Sequence, residues 1–169
     1  MSNTYQSMAK DAAYTAVASL SRHHLTAAAS ESCTGGLIAK LITDVSGAST
    51  VFRGSIVAYA DDLKSSLLGV RPEIIEKYSA VSEECASEMA KGTAKLCGCD
   101  IAVSAVGLAG PAGGSEEIPV GTVFAAVYSE KYSETVRLQF PADLGRDTLR
   151  YAAAEAALKL ITRAVEAYK

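Results

Sequence analysis

Two short stretches concentrate groups able to break a covalent bond. The first is ESCTGG, Glu31 to Gly36, which holds a carboxylate, two hydroxyls, a thiol and two glycines. It follows the small apolar run LTAAAS and precedes the helix-like LIAKLITDV, so it falls where a strand hands over to a helix. Three roles suit such a turn. Ser32 or Cys33 could attack an electrophile. Thr34, Gly35 and Gly36 could cradle an anion, because unpaired N–H groups and the dipole at a helix start favour negative charge. A polar cap without a ligand is the third. The second stretch runs from SGAST to AYADDLK and supplies Ser46, Ser49, Thr50, Tyr59 and Lys64. A lysine buried among apolar groups loses its charge more easily and becomes a competent base, so a serine of SGAST with Lys64 is a candidate dyad for acyl transfer.

Other chemistries find less support. His23 and His24 are the only histidines and are adjacent; neighbours on a helix point about 100° apart, which argues against a Ser-His-Asp triad or a histidine metal site. Cys33, Cys85, Cys97 and Cys99 show no CxxC and no Cys/His metal spacing, so reduced thiols and no metal are expected. GLAGPAGG places glycines at Gly107, Gly110, Gly113 and Gly114 but matches neither GxGxxG nor the P-loop pattern. Its N–H groups could still approach a phosphate or an oxyanion closely; a long turn between strands is the alternative.

The elements that must position these groups alternate. Ala9, Ala12, Ala13, Ala16, Val17 and Leu20 follow helical spacing. LTAAAS reads as a strand and Leu37 to Val45 as a helix. FRGSIVAYA has an apolar run from Ile56 to Tyr59, as in a strand buried on both faces. Asp61 and Asp62 are expected to cap a short helix stopped by Gly69; Pro72 opens the next, and Ser82 caps one that ends at Gly98. DIAVSAVGLAG is a further buried strand. IPVGTVFAAVY and SETVRLQF form an antiparallel pair joined through SEKY. A last helix follows, whose alanine-rich stripe packs on the sheet or on another subunit. This order predicts one α/β domain over residues 1–169: a three-layer α/β/α sandwich around a mixed, mostly parallel sheet of about five strands. Ligands of such sheets gather outside the carboxyl ends of the strands.

Of the 169 residues, 49 % are hydrophobic and 21 % charged, ordinary for a globular protein. The net charge of −3 offers no basic field for nucleic acid. No apolar run approaches the roughly 18 residues of a membrane span, and MSNTYQSMAKDAAY lacks the basic and apolar blocks of a signal peptide, so a cytoplasmic location is expected.

ESCTGG, TDVSGAST-VF, VAYADDLK–LLGV, AVSEE, GLAGPAGG and PVGTV, in this order and from about Ala28 to the last helix, resemble the CinA C-terminal family, which includes nicotinamide mononucleotide deamidases. The resemblance implies the stand-alone form of that domain. It also implies metal-independent hydrolysis of the carboxamide of nicotinamide mononucleotide to nicotinate mononucleotide and ammonia, with no cofactor. Carried over by motif, Ser49 matches the nucleophile, Lys64 the general base, and Ser32 and Tyr59 the supporting hydroxyls, with Cys33 left as a bystander. The glycine loops and Arg146 are implied as holders of the 5′-phosphate, and a homo-oligomer is implied. The chain departs from the family pattern at Ala60, Asp61, Val106 and Gly145. A non-catalytic nucleotide-binding module and a hydrolase of a related amide are the alternative readings.

Overall fold

The strands β1 (Ala27–Glu31), β2 (Phe52–Val57), β3 (Ile101–Gly107), β4 (Thr122–Ser129) and β5 (Ser133–Gln139) form one sheet in the order β2-β1-β3-β4-β5. The computed structural model describes residues 2–169, with side chains from Thr4 onward. β1 pairs in parallel with β2 and with β3, whereas β4 is antiparallel to both of its neighbours. Four strands therefore run one way and β4 alone runs against them, the mixed, mostly parallel sheet that the element order predicts.

The helices α1 (Ser2–His23), α2 (Leu37–Thr43) and α6 (Arg146–Glu166) cover one face; α3 (Asp61–Leu68), α4 (Pro72–Tyr78) and α5 (Glu83–Cys97) cover the other. Alternation on β3 divides its side chains between the layers. Ile101, Val103 and Ala105 meet the first helical layer, while Val106 meets Ala86, Met89 and Ala90 of α5. Ser104, wholly buried, donates its hydroxyl to the Ala86 carbonyl at 2.6 Å, so a polar atom inside the core costs little. α5 begins as its sequence requires, with the Ser82 hydroxyl accepting from the Cys85 N–H. The expected stripe of α6 is inward, and Ala152, Ala154, Leu158 and Val165 are buried besides. The helix lies between the sheet and α1, which occupy its alanine face.

Two local expectations are corrected. β2 is an edge strand, with Val57 45 % and Tyr59 59 % exposed, and is not buried on both faces. Its apolar run continues past the strand into a loop, where only Ala58 turns inward to the α5 layer. α3 is not capped by an aspartate side chain: its N-cap is Ala60, and Asp61 turns to Lys64 instead.

The connection from β1 leads through α2 to β2 on one side, whereas β3 lies on the other side of β1. The loops leaving the carboxyl ends of β1 and β3 therefore diverge and open a crevice between them, the switch point where sheets of this kind bind ligands.

Candidate active site

Ser32 is the first residue beyond β1, and its N–H donates to the Ala105 carbonyl at 3.0 Å, which extends the β1–β3 pairing by one step. This fixes the half-buried Ser32 at the crevice. Among the described residues none hydrogen-bonds its hydroxyl. The chain then turns sharply through Gly35 and Gly36, with φ of 58° and 95°. An L side chain is strained at such angles, so both positions call for glycine.

The turn folds over Glu31, whose side chain is 0 % exposed. Its Oε2 accepts from the N–H groups of Gly36 (2.9 Å) and Ile38 (3.0 Å). Its Oε1 accepts from the Ala39 N–H (3.0 Å) and the Ser55 hydroxyl (2.9 Å). The start of α2 thus already holds an anion, supplied by the chain itself. The anion cradle expected at Thr34, Gly35 and Gly36 is filled from within. Thr34 is wholly buried, and its carbonyl accepts from Arg150 Nη2 (2.6 Å) and Nε (3.2 Å). Arg150 thereby ties α6 to the Ser32 turn. Its spacing from Arg146 was the only sign of it in the sequence.

Arg146, one turn earlier on α6, bridges the crevice. Its Nη1 donates to the Gly110 carbonyl at 2.7 Å and its Nη2 to the Tyr59 hydroxyl at 3.1 Å. Ser32, Cys33, Tyr59, Gly107, Gly110 and Arg146, with Leu108, Ala109 and Ala112, enclose about 210 Å³. Among the described residues, nothing accepts a hydrogen bond from the N–H groups of Ala109 and Gly110, two residues of the crevice wall. A larger hollow of about 690 Å³ lies along α5, lined by Arg71, Lys91, Lys95 and Asp100 among others. It contains none of the expected site residues and lies away from the carboxyl ends of β1 and β3, so the smaller crevice is where the chemistry converges.

Lys64 stands behind Tyr59. It is 2 % exposed, and its amine donates to the Tyr59 carbonyl (3.2 Å) and to Asp61 Oδ1 (2.8 Å). Burial pushes the Cys33 thiol up to about 12, against the opposing pull of Arg150 and Arg146, so this neighbour of Ser32 stays protonated.

Seven expected site residues do not line the crevice: Thr34, Gly35 and Gly36 in the turn over Glu31, Lys64 behind Tyr59, and Ser49, Gly113 and Gly114. Ser49 lies in the exposed 3-10 turn Ala48–Thr50 that leads into the amino end of β2. It borders a separate hollow of about 380 Å³ with Thr43, Gly47 and Phe52. Lys64 follows the carboxyl end of that strand. The six residues of β2 separate the two by about 20 Å at 3.3 Å per residue, so no Ser49–Lys64 dyad forms. Gly113 and Gly114 are exposed and do not line the crevice. A Cβ on Gly114 would lie 2.9 Å from the Val120 nitrogen, so close packing against the following segment accounts for that glycine. Gly36 is engaged with Glu31 rather than with the crevice. Among the described residues, no three His, Cys, Asp or Glu side chains gather where they could share a metal ion. No helix of the described residues is long and apolar enough to cross a membrane.

A three-layer α/β sandwich with a serine, a tyrosine and an arginine around a crevice at its switch point defines the class of this protein. The chain belongs to the CinA C-terminal domain family, whose model matches residues 9–165. It is 48 % identical over 134 residues to a CinA-like protein of Thermotoga sp. (strain RQ2), covering 79 % of this chain and 32 % of that one. It is 44 % identical over 144 residues to a putative competence-damage inducible protein of Thermoanaerobacter pseudethanolicus, covering 85 % and 34 %. The chain thus spans about a third of the length of these curated relatives. Among solved structures it resembles the competence/damage inducible protein CihA of Agrobacterium tumefaciens, with a TM-score of 0.89 at 33 % identity over 94 % of this chain and 96 % of that one. A CinA superfamily protein of Klebsiella pneumoniae superposes with a TM-score of 0.87 at 29 % identity, covering 94 % and 98 %.

Proposed function

We propose that this domain is a serine amidohydrolase acting on the carboxamide of nicotinamide mononucleotide, with Ser32 as the attacking hydroxyl. The observation that carries the reading is the meeting of Ser32, Tyr59 and Arg146 in one crevice, with the Lys64 amine on the backbone carbonyl of Tyr59. A space of about 210 Å³ admits the pyridine carboxamide and leaves the ribose phosphate over the open mouth, beside the Arg146 guanidinium.

In this reading the neutral Lys64 amine, with the Tyr59 hydroxyl beside it, takes the Ser32 proton as Oγ adds to the amide carbon. The charge developing on the amide oxygen meets the free N–H groups of Ala109 and Gly110. The Lys64 ammonium returns its proton to the nitrogen, ammonia leaves, and water then cleaves the acyl ester to give nicotinate mononucleotide. No step needs a metal.

Incubating the protein with nicotinamide mononucleotide and measuring ammonia together with nicotinate mononucleotide tests the reading. Equal release of both supports it; bound substrate with no ammonia at any pH sinks it. One observation favours a binding module instead: the Lys64 amine is engaged by the Tyr59 carbonyl and Asp61, and among the described residues no base hydrogen-bonds the Ser32 hydroxyl. The same experiment separates the two.

A further inference from the structure

β2 is hydrogen-bonded to β1 on one side, and its other side is an edge of the sheet. Among the described residues, no loop or side chain hydrogen-bonds the backbone of residues 54–57 from that open side. A free row of N–H and C=O groups is a template for another strand, and sheets usually guard it with lysine, proline or charge. The opposite edge is guarded in this way: β5 carries Glu134 and Arg137, and Glu134 is held by Arg163. Residues 54–57 of β2 read Gly-Ser-Ile-Val and carry no charge.

Apolar side chains accompany the open edge in both layers. Of eight large hydrophobic side chains exposed among the described residues, four are Val57, Tyr59, Leu63 and Leu67. Val57 leaves β2 on the α2 side, its Cγ2 lying 3.9 Å from a Cβ built on Gly36. Leu63 and Leu67 stand one turn apart on α3, in the opposite layer. A sheet that continues past β2 must be covered on both faces, and these groups begin that cover.

The charges decide what occupies the edge. Arg53, the single charged residue of β2, lies at its amino end, whereas Asp61 and Asp62 follow its carboxyl end. The register shift leaves Arg53 without a partner on β1, and both it and Asp62 are exposed. Its Nε donates to the Cys97 carbonyl of α5, so its guanidinium lies in the layer that holds α3. A second β2 laid antiparallel about a two-fold axis brings each Arg53 toward the other copy's aspartates. Parallel pairing would set arginine against arginine. The strand with the required charges at the required ends is the chain's own. We propose that two copies of this chain pair antiparallel through their β2 strands, joining two five-stranded sheets into one. Tyr59 belongs both to the exposed patch and to the crevice wall, so each copy borders the other's crevice.

Analytical ultracentrifugation of the full chain over a range of concentrations tests this. The native chain should sediment at twice the 17.5 kDa of one copy. Val57→Lys combined with Leu67→Lys changes two exposed positions and should give a folded monomer, with thermal unfolding as the check on folding. A native chain that is monomeric at every concentration overturns the proposal, and so does a dimer that survives both lysines. A charge exchange separates this edge from any other surface. Arg53→Glu alone and Asp62→Arg alone should each weaken the dimer about tenfold or more, because like charges then meet across the two-fold. The two together should restore an affinity close to the native one. Failure of that rescue overturns the antiparallel β2 pairing, whatever else the chain binds.

Discussion

The carboxylate of Glu31 accepts the Gly36 N–H at 2.9 Å, and with it two more N–H groups at the start of α2. A buried side chain thereby supplies the charge that a bound anion supplies at other helix starts, and it holds the Ser32 turn to the sheet. Bonds to a charged acceptor contribute roughly 1.5–3 kcal/mol each, and unsatisfied buried donors are costly. Glu31→Ala should lower stability by roughly 3 kcal/mol or more, seen as a fall in the urea midpoint at constant slope. Glu31→Gln keeps an accepting oxygen and should fall between. Native-like stability in the alanine variant would show that the turn does not depend on this carboxylate.

Ser32 lies beyond the carboxyl end of β1 and Ser49 before the amino end of β2, so parallel pairing puts them at opposite ends of the sheet. Only Ser32 borders the crevice with Tyr59 and Arg146. Ser32→Ala should reduce ammonia release by at least about 10³-fold, as loss of an attacking group does in other hydrolases. Ser49→Ala should leave it within a factor of about two, as expected of an exposed surface substitution. The reverse result would move the reaction to the other end of the domain.

The Cys33 thiol, pushed up to about 12, is protonated at every pH where the protein is handled. Thiolate is the reactive form, so its share rises only as pH nears that value. Iodoacetamide at pH 8 should therefore leave Cys33 unlabelled in the folded protein and label it after denaturation, with peptide mass spectrometry as the readout. Fast labelling of the native chain, with loss of turnover, would restore Cys33 as a candidate nucleophile.

Arg146 is held open-handed between Gly110 and Tyr59, with its charge at the crevice mouth. If it takes the phosphate, Arg146→Ala should raise KM roughly 10- to 100-fold, the equivalent of about 1.5–3 kcal/mol, with a smaller change in kcat. Arg146→Lys should recover only part, because an ammonium lacks the forked geometry. Nicotinamide riboside, which carries no phosphate, should be turned over equally poorly by the native and alanine forms.

Periodicity made the helices and strands readable: α1, β3 and α6 lie where their apolar spacing puts them. Ser32, Tyr59, Lys64, Gly107, Gly110 and Arg146 were also within reach, since each sits at or just beyond a strand end or a helix start. Ser49 was misplaced for want of one step, since a residue that enters a parallel strand cannot share the end at which its neighbour leaves. Gly113 and Gly114 look like a ligand cradle in the sequence, yet Gly114 answers to Val120, a contact that no local pattern reveals. The turn of Glu31 onto its own helix needed the positive φ angles of Gly35 and Gly36, which a string of letters permits but does not specify. β2 showed the same limit: its apolar run does not say whether a strand lies at the centre or at the edge.

Gly92 controls how α3 carries Lys64. A Cβ built there would lie 1.7 Å from the Leu68 carbonyl oxygen and 2.7 Å from its carbon, so α5 meets the end of α3 backbone to backbone. Two effects oppose each other in Gly92→Ala. Helix propensity favours alanine by about 1 kcal/mol. The clash is with main-chain atoms that cannot rotate away, and forced overpacking costs about 1–3 kcal/mol or more. At 1.7 Å the clash wins, and a net loss of about 2 kcal/mol is expected by thermal or urea unfolding. Relief of the clash must move α3 off α5, taking Lys64 from the Tyr59 carbonyl, so turnover should fall further than stability alone explains. Gly98→Ala is the control. It has open space but a φ of 58°, so it should lose about 1–2 kcal/mol while the surviving folded protein keeps full turnover. Equal activity per folded molecule in both variants would mean that the placement of Lys64 does not depend on this contact.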